Sequence, residues 1–246
     1  MKIPITISLL FYVLFVSAQI SQEKIFYLIP GQGSDGRLFK NIIIEKYDTQ
    51  IVEYVVPLKG ETMATYAMRL ATQIDTTKRF SIVGVSLGGM LAIEMSKILQ
   101  PEEVILIASA KTKQEIPKLY QFFKQFPVHR VLGGRFYKFW TILLQPLYEP
   151  LSKEDQKLWR SMMKEKDPVF MKRAVRCIVE WENVDYAGVD LLHLHGAKDK
   201  TLPIKNIEAP VIIENGTHVM TLTNGKELSG IINNWLAEKK LESTFQ

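Results

Sequence analysis

From residue 24 onward, short and almost continuously apolar runs alternate with stretches whose apolar positions recur every three or four residues. Residues 24–30 (KIFYLIP), 50–57, 79–86 (RFSIVGVS), 103–109 (EVILIAS), 190–195 and 210–214 have the first pattern and predict strands. Residues 62–74, 87–99 and 226–239 have the second and predict amphipathic helices. Strands apolar on both sides, separated by helices, predict a mostly parallel sheet with helices on both faces, hence an α/β fold.

About eighty residues between the strand at 103–109 and the strand at 190–195 break this alternation. They carry helical patterns at 116–126, 134–144, 153–165 and 168–182 but no convincing strand. Twelve of the chain's 25 aromatic residues fall within 113–181. An inserted helical cap over the carboxyl edge of the sheet would account for both facts. The expected organisation is a core from 19–112 and 186–246, with the cap at 113–185. Trp140, Trp159 and Trp181 could line a pocket beneath that cap or simply pack its interior.

The amino terminus reads differently. Met1-Lys2 is followed by an apolar run from Ile3 to Val16 and then by Ser17-Ala18-Gln19. A positive start, an apolar segment and small residues are the marks of a secretory signal peptide. The run is shorter than the roughly 20 residues that span a bilayer. Cleavage after Ala18 and export to the periplasm or beyond are therefore expected, with no stable membrane span left behind.

Composition narrows the field without choosing a function. The 31 Lys and Arg residues against 26 Asp and Glu give a net charge of +5, spread without a basic run. Nucleic-acid binding, which gathers positive charge on one face, is not expected. With 47% hydrophobic and 23% charged residues, the chain is neither disordered nor polytopic. Its single cysteine, Cys177, excludes an internal disulfide and a multi-cysteine zinc site. Cys177 lies in a helical pattern without a base motif nearby, so an inert packed thiol is expected there.

Gly84-Val85-Ser86-Leu87-Gly88 follows a buried strand and opens a helix. A G-x-S-x-G in that setting puts serine on a sharp turn with its hydroxyl above the sheet, and Gly84 and Gly88 let neighbouring backbone pass. Serine becomes a nucleophile only when a base removes its proton. Of His129, His193, His195 and His218, only His218 follows the last strand in a loop at the same sheet edge. Asp199, in the loop after the preceding strand, is placed to hold that imidazole; Asp185, Asp190 and Glu214 lie before or within strands. The glycine-rich stretch Pro30-Gly31-Gln32-Gly33 follows the first strand and lacks the Gly-Lys-Ser/Thr ending of a phosphate loop. The backbone N–H groups of Gln32 and Leu87 are the candidate donors to a substrate oxyanion.

Together GVSLGG, HGAKDKTLP and NGTHVMTL resemble the nucleophile elbow, acid loop and histidine loop of the α/β-hydrolase superfamily, in its carboxylesterase and lipase-like branch. The likeness runs along essentially the whole mature chain. It implies a nucleophile at Ser86, an acid at Asp199 and a base at His218, with Gln32 and Leu87 at the oxyanion. It also implies an ester-cleaving enzyme that needs no metal or organic cofactor and acts on a small-molecule ester. The family's usual His-Gly of the oxyanion loop is Pro30-Gly31 here, and the 19-residue spacing from Asp199 to His218 is short. A thioesterase, amidase or acyltransferase would use the same three residues, and a slow ligand-binding member would keep the fold.

Overall fold

The computed structural model describes residues 24–186 and 188–244; the expected signal peptide lies outside the described residues. One sheet forms from β1 (Ile25–Ile29), β2 (Asp48–Ile51), β3 (Phe80–Val85), β4 (Glu103–Ile107), β5 (Asp190–Gly196) and β6 (Val211–Ile213). Its order is β2-β1-β3-β4-β5-β6, and every neighbouring pair runs parallel. β1, β3 and β4 are buried along their whole length, as their continuous apolar sequences require. The edge strand differs from expectation. β2 covers only Asp48–Ile51 and is largely exposed, whereas a strand over 50–57 was expected. Beyond it the chain keeps one bond to the sheet, Val52 N–H to the Leu28 carbonyl, at 3.0 Å. Tyr54 and Val56 owe their apolar character to packing against the core rather than to a strand ladder.

The helices in the sheet-forming part are α1 (Met63–Ala71), α2 (Leu87–Leu99) and, after β6, α8 (Met220–Thr223) and α9 (Gly225–Thr244). Thr62 caps α1 by accepting from the Thr65 N–H, while Thr65 Oγ1 accepts the Thr62 N–H in return. α2 lies against β1, β3 and β4, and its first ten residues are buried.

Between β4 and β5 come α3 (Lys118–Gln125), α4 (Val128–Val131), α5 (Gly134–Tyr148), α6 (Lys153–Glu165) and α7 (Pro168–Val179). α7 is the post of this group, with α3, α4 and α5 packed against it. Asp167 caps it, accepting from the Val169 and Phe170 N–H groups, and Pro168 occupies a first-turn position where a missing N–H costs nothing. α5 runs four residues past its expected end and includes Pro146 in its last turn.

All six strands point the same way, so every loop after a strand emerges at one edge. At β1 the connections turn in opposite directions, to β2 on one side and β3 on the other. Such a switch point opens a crevice at the carboxyl edge. The loops after β1 and β3 border it.

Candidate active site

Ser86 stands between β3 and α2 with φ 52° and ψ −119°, a backbone region that L residues avoid. The neighbourhood compels this geometry. A Cβ on Gly88 would run into the carbonyls of Ile29 and Pro30, and one on Gly84 would strike the Gly88 backbone. The Ser109 hydroxyl donates to the Ser86 carbonyl at 2.7 Å, and the Ser86 N–H donates to the Ile107 carbonyl at 3.1 Å. The turn is thus held from β4 as well as from its own strand. Gly88→Ala is expected to cost about 3 kcal/mol or more, read as a lowered denaturant midpoint, because backbone cannot yield as a side chain can.

The loops after β3, β5 and β6 bring the three expected side chains into one line. His218 Nε2 lies 2.9 Å from Ser86 Oγ. Its Nδ1 lies 2.8 Å from Asp199 Oδ2. The other carboxylate oxygen of Asp199 accepts the Thr201 and Leu202 N–H groups, both at 2.8 Å. Asp199 is buried; burial opposes its charge, but His218 and these bonds hold its carboxyl below the usual carboxylate range. Burial pushes His218 down, while the Asp199 carboxylate and its hydrogen bond, with Glu149 beyond, raise it above an ordinary imidazole. A carboxylate on Nδ1 puts the proton there and leaves Nε2 free to accept from the serine.

Gly31 and Gln32 follow β1 immediately beside this turn; a Cβ on Gly31 would lie 3.5 Å from the Ser86 Cβ. The Ser34 hydroxyl and N–H both donate to the Gly31 carbonyl, and Tyr54 OH donates to the Pro30 carbonyl at 2.6 Å. The Gln32 side chain is tied to the Met171 carbonyl of α7 at 3.2 Å. Among the described residues, neither the Gln32 nor the Leu87 backbone N–H has an acceptor. A cavity of about 470 Å³ lies over Ser86 and His218. Gly31, Gln32, Met90, Tyr137, Trp140 and Trp159 are among the residues that line it.

No family model and no curated protein sequence matches this chain. Solved structures do. A thermophilic esterase from Thermogutta terrifontis is 17% identical over 88% of this chain and 90% of its own, with a TM-score of 0.65. MenH from S. aureus is 18% identical over 89% and 95%, with a TM-score of 0.67. A lipase-esterase related protein from Clostridium acetobutylicum is 16% identical over 87% and 95%, with a TM-score of 0.65. The chain has the α/β-hydrolase fold. The likeness covers the sheet and extends over most of each chain, although esterase and MenH are different names carried by one architecture.

Within this α/β-hydrolase fold the remaining histidines are structural. His193 Nε2 faces the Ser109 carbonyl at 3.1 Å, and burial and the neighbouring His195 push its pKa down to about 3. His195 lies 3.4 Å from Asp199 but bonds the Leu202 carbonyl at 2.7 Å; burial lowers it, so it stays neutral and pins the acid loop. His129 is buried among the helices, with Nδ1 on the Phe123 carbonyl at 3.0 Å. The Cys177 thiol is buried and pushed up to about 12, chiefly by that burial, which makes it unreactive. Trp140 and Trp159 border the cavity, but Trp181 does not: it is buried with its Nε1 donating to Glu94 at 2.7 Å.

One carboxylate at the site was not expected. Glu149, just past α5, accepts the His218 N–H at 3.2 Å and the Val219 N–H at 3.3 Å. Its own carbonyl accepts from the buried Gln145 side chain at 2.7 Å, which in turn accepts from Gln156 of α6 at 3.1 Å. A chain of bonds therefore runs from the inserted helices to the histidine loop. Burial raises the Glu149 carboxyl above the usual range, against the pull of His218 and of the Val219 N–H. The sequence holds one hint of it: Glu149 ends a stretch, 116–148, that contains no Asp or Glu. Glu149→Gln keeps the shape but removes a charge that raises His218. The acid limb of a kcat/KM profile is expected to move to lower pH, with a plateau about tenfold lower from two weakened bonds.

Proposed function

We propose that this protein is a serine hydrolase that cleaves carboxylic esters by acyl transfer to Ser86. The observation that supports this most is the unbroken line from Ser86 Oγ through His218 to Asp199, at 2.9 and 2.8 Å, on a strained turn. Ser86 Oγ attacks the ester carbonyl while its proton passes to His218 Nε2. The imidazolium so formed is stabilised by Asp199, which stays ionised. The tetrahedral oxyanion rests on the Gln32 and Leu87 N–H groups. Collapse expels the alcohol, which takes the proton from His218, and leaves an acyl ester on Ser86. Water then gives its proton to His218, attacks that ester, and releases the acid and free serine. Every residue required belongs to this chain, and no step calls for a metal or an organic cofactor. The signal-peptide pattern read in residues 1–18 supports export as the setting for this activity.

The cavity walls are mostly apolar, with Gln32, Gln145, Glu149 and Lys200 among the polar exceptions, and this favours an ester with an apolar group. A second chamber of about 240 Å³ adjoins the first, sharing Gln32, Leu119, Tyr120, Tyr137, Thr141 and Met163 with it. Met171, Val175 and Val179 of α7 close its other side. An apolar acyl or alcohol group fits there. Each methylene buried in it adds about 0.8 kcal/mol, a fourfold gain in kcat/KM. Val175→Phe, which fills the chamber, is expected to flatten that gain across a series of fatty esters while sparing acetate esters. A series without chain-length dependence in the wild type would remove the chamber from the reading.

Fluorophosphonate labelling tests the central claim without knowledge of the natural substrate. Wild-type protein is expected to label, whereas Ser86→Ala and His218→Ala are not. A folded wild type that takes no label would overturn the hydrolase reading and favour a ligand-binding protein of the same fold.

A further inference from the structure

The helices inserted between β4 and β5 turn an apolar ridge outward. On α5, Phe136, Phe139, Trp140, Leu143 and Leu147 recur at helical spacing and are exposed, Phe139 by 59% and Leu147 by 67%. Leu119 and Phe122 of α3, and Phe126 just past its end, do the same. The rings are packed together rather than scattered: Trp140 lies 5.9 Å from Phe136 and 5.6 Å from Phe139, and Phe122 lies 4.8 Å from Phe126. Contiguous exposed apolar surface of this kind marks an interaction site. Leu119, Trp140 and Tyr148 are exposed and also line the cavity over Ser86, so the ridge borders its opening.

Charge selects the occupant. Residues 116–148 hold Lys118, Lys124, Arg130, Arg135 and Lys138 and no acidic residue. Lys124 and Arg130 are neutralised by Glu182 and Glu180 from outside the segment. Lys118, Arg135 and Lys138 meet no carboxylate among the described residues; Lys138 bonds the carbonyls of Lys164 and Lys166 instead. A second copy of this face would set cations against cations. A bilayer with anionic headgroups offers both what the aromatic face needs and what the flanking cations need.

We infer that α3 and α5 form a docking face for an anionic lipid surface. The helices lie in the headgroup plane with the ridge turned inward, and the cavity opens toward the lipid. This is peripheral attachment: among the described residues, no helix is long and apolar enough to cross a membrane. The inference does not depend on Ser86 being a nucleophile.

The test uses the full chain and vesicles of phosphatidylcholine with or without phosphatidylglycerol. Brominated lipid quenches a tryptophan that enters the bilayer. Trp159 and Trp181 are buried and Trp235 packs on the core, so quenching is expected from Trp140 and is expected to vanish in Trp140→Phe. Lys118 and Arg135 are each worth about fivefold in partitioning, so anionic vesicles should bind about 25-fold more tightly, less so at high salt. Phe139→Ser with Leu143→Ser should abolish the quenching at an unchanged thermal midpoint. Should that variant fold poorly, Lys118→Glu with Arg135→Glu reads the same face through charge. Binding without Trp140 quenching would place the contact elsewhere, for instance on the leader, and overturn the inference. So would quenching indifferent to anionic lipid, or a concentration-dependent dimer that the double serine variant abolishes.

Discussion

Ser86→Ala is expected to lower kcat/KM for a chromogenic short-chain ester by about 10⁵-fold or more, with little change in KM. The hydroxyl is the only atom lost, and the turn that carries it is fixed by Ser109, Ile107 and the packed glycines, so the variant should fold as wild type does. His218→Ala should be nearly as damaging. The double variant should be little worse than either alone, because nucleophile and base act as one unit. Near-additive losses would mean that the two residues act in separate steps, and the mechanism above would not stand.

Asp199→Asn should cost about 10⁴-fold while leaving the fold intact. The amide oxygen of asparagine can still accept from Thr201 and Leu202, so the loop keeps its anchor. Its NH₂ group would face His218 Nδ1 and favour the tautomer with the proton on Nε2, which cannot accept from serine. The pH profile should change as well. In the wild type, rate is expected to rise as pH climbs through the raised pKa of His218, since on this mechanism only the neutral imidazole acts as the base. Without the Asp199 carboxylate, burial dominates and that pKa falls, so the acid limb shifts to lower pH even as the plateau collapses. A plateau loss with an unmoved limb would show that Asp199 acts only as a structural post.

Much of this site was legible because parallel sheets write themselves plainly. Strands buried on both faces appear as apolar runs, and the residues just after them must share one edge. That reasoning brought Ser86, Asp199 and His218 together from three distant parts of the chain. It also singled out the glycine-rich turn after β1. It failed where the partner is backbone or non-local. Glu149 touches His218 only through main-chain N–H groups, and His195 steadies the acid loop through the Leu202 carbonyl; the sequence does not say which groups these two side chains meet. The edge strand was overextended because Tyr54 and Val56, apolar for packing reasons, continue its alternation without its ladder. The end of α5 lies four residues beyond the expected one because the helix continues through Pro146, although proline lacks the N–H that would bond the Ile142 carbonyl.

The separation of these residues also bears on how the protein is made. Ser86 precedes His218 by 132 residues, and the whole helical insertion lies between them. During synthesis the strand and turn that carry the serine leave the ribosome well before the loops of β5 and β6 exist. A nascent chain therefore exposes an ordinary alcohol, as inert toward acyl groups as any surface serine. On the proposed mechanism, reactivity would be conferred only when the last strands dock, and a chain truncated before that point is expected to take no fluorophosphonate label.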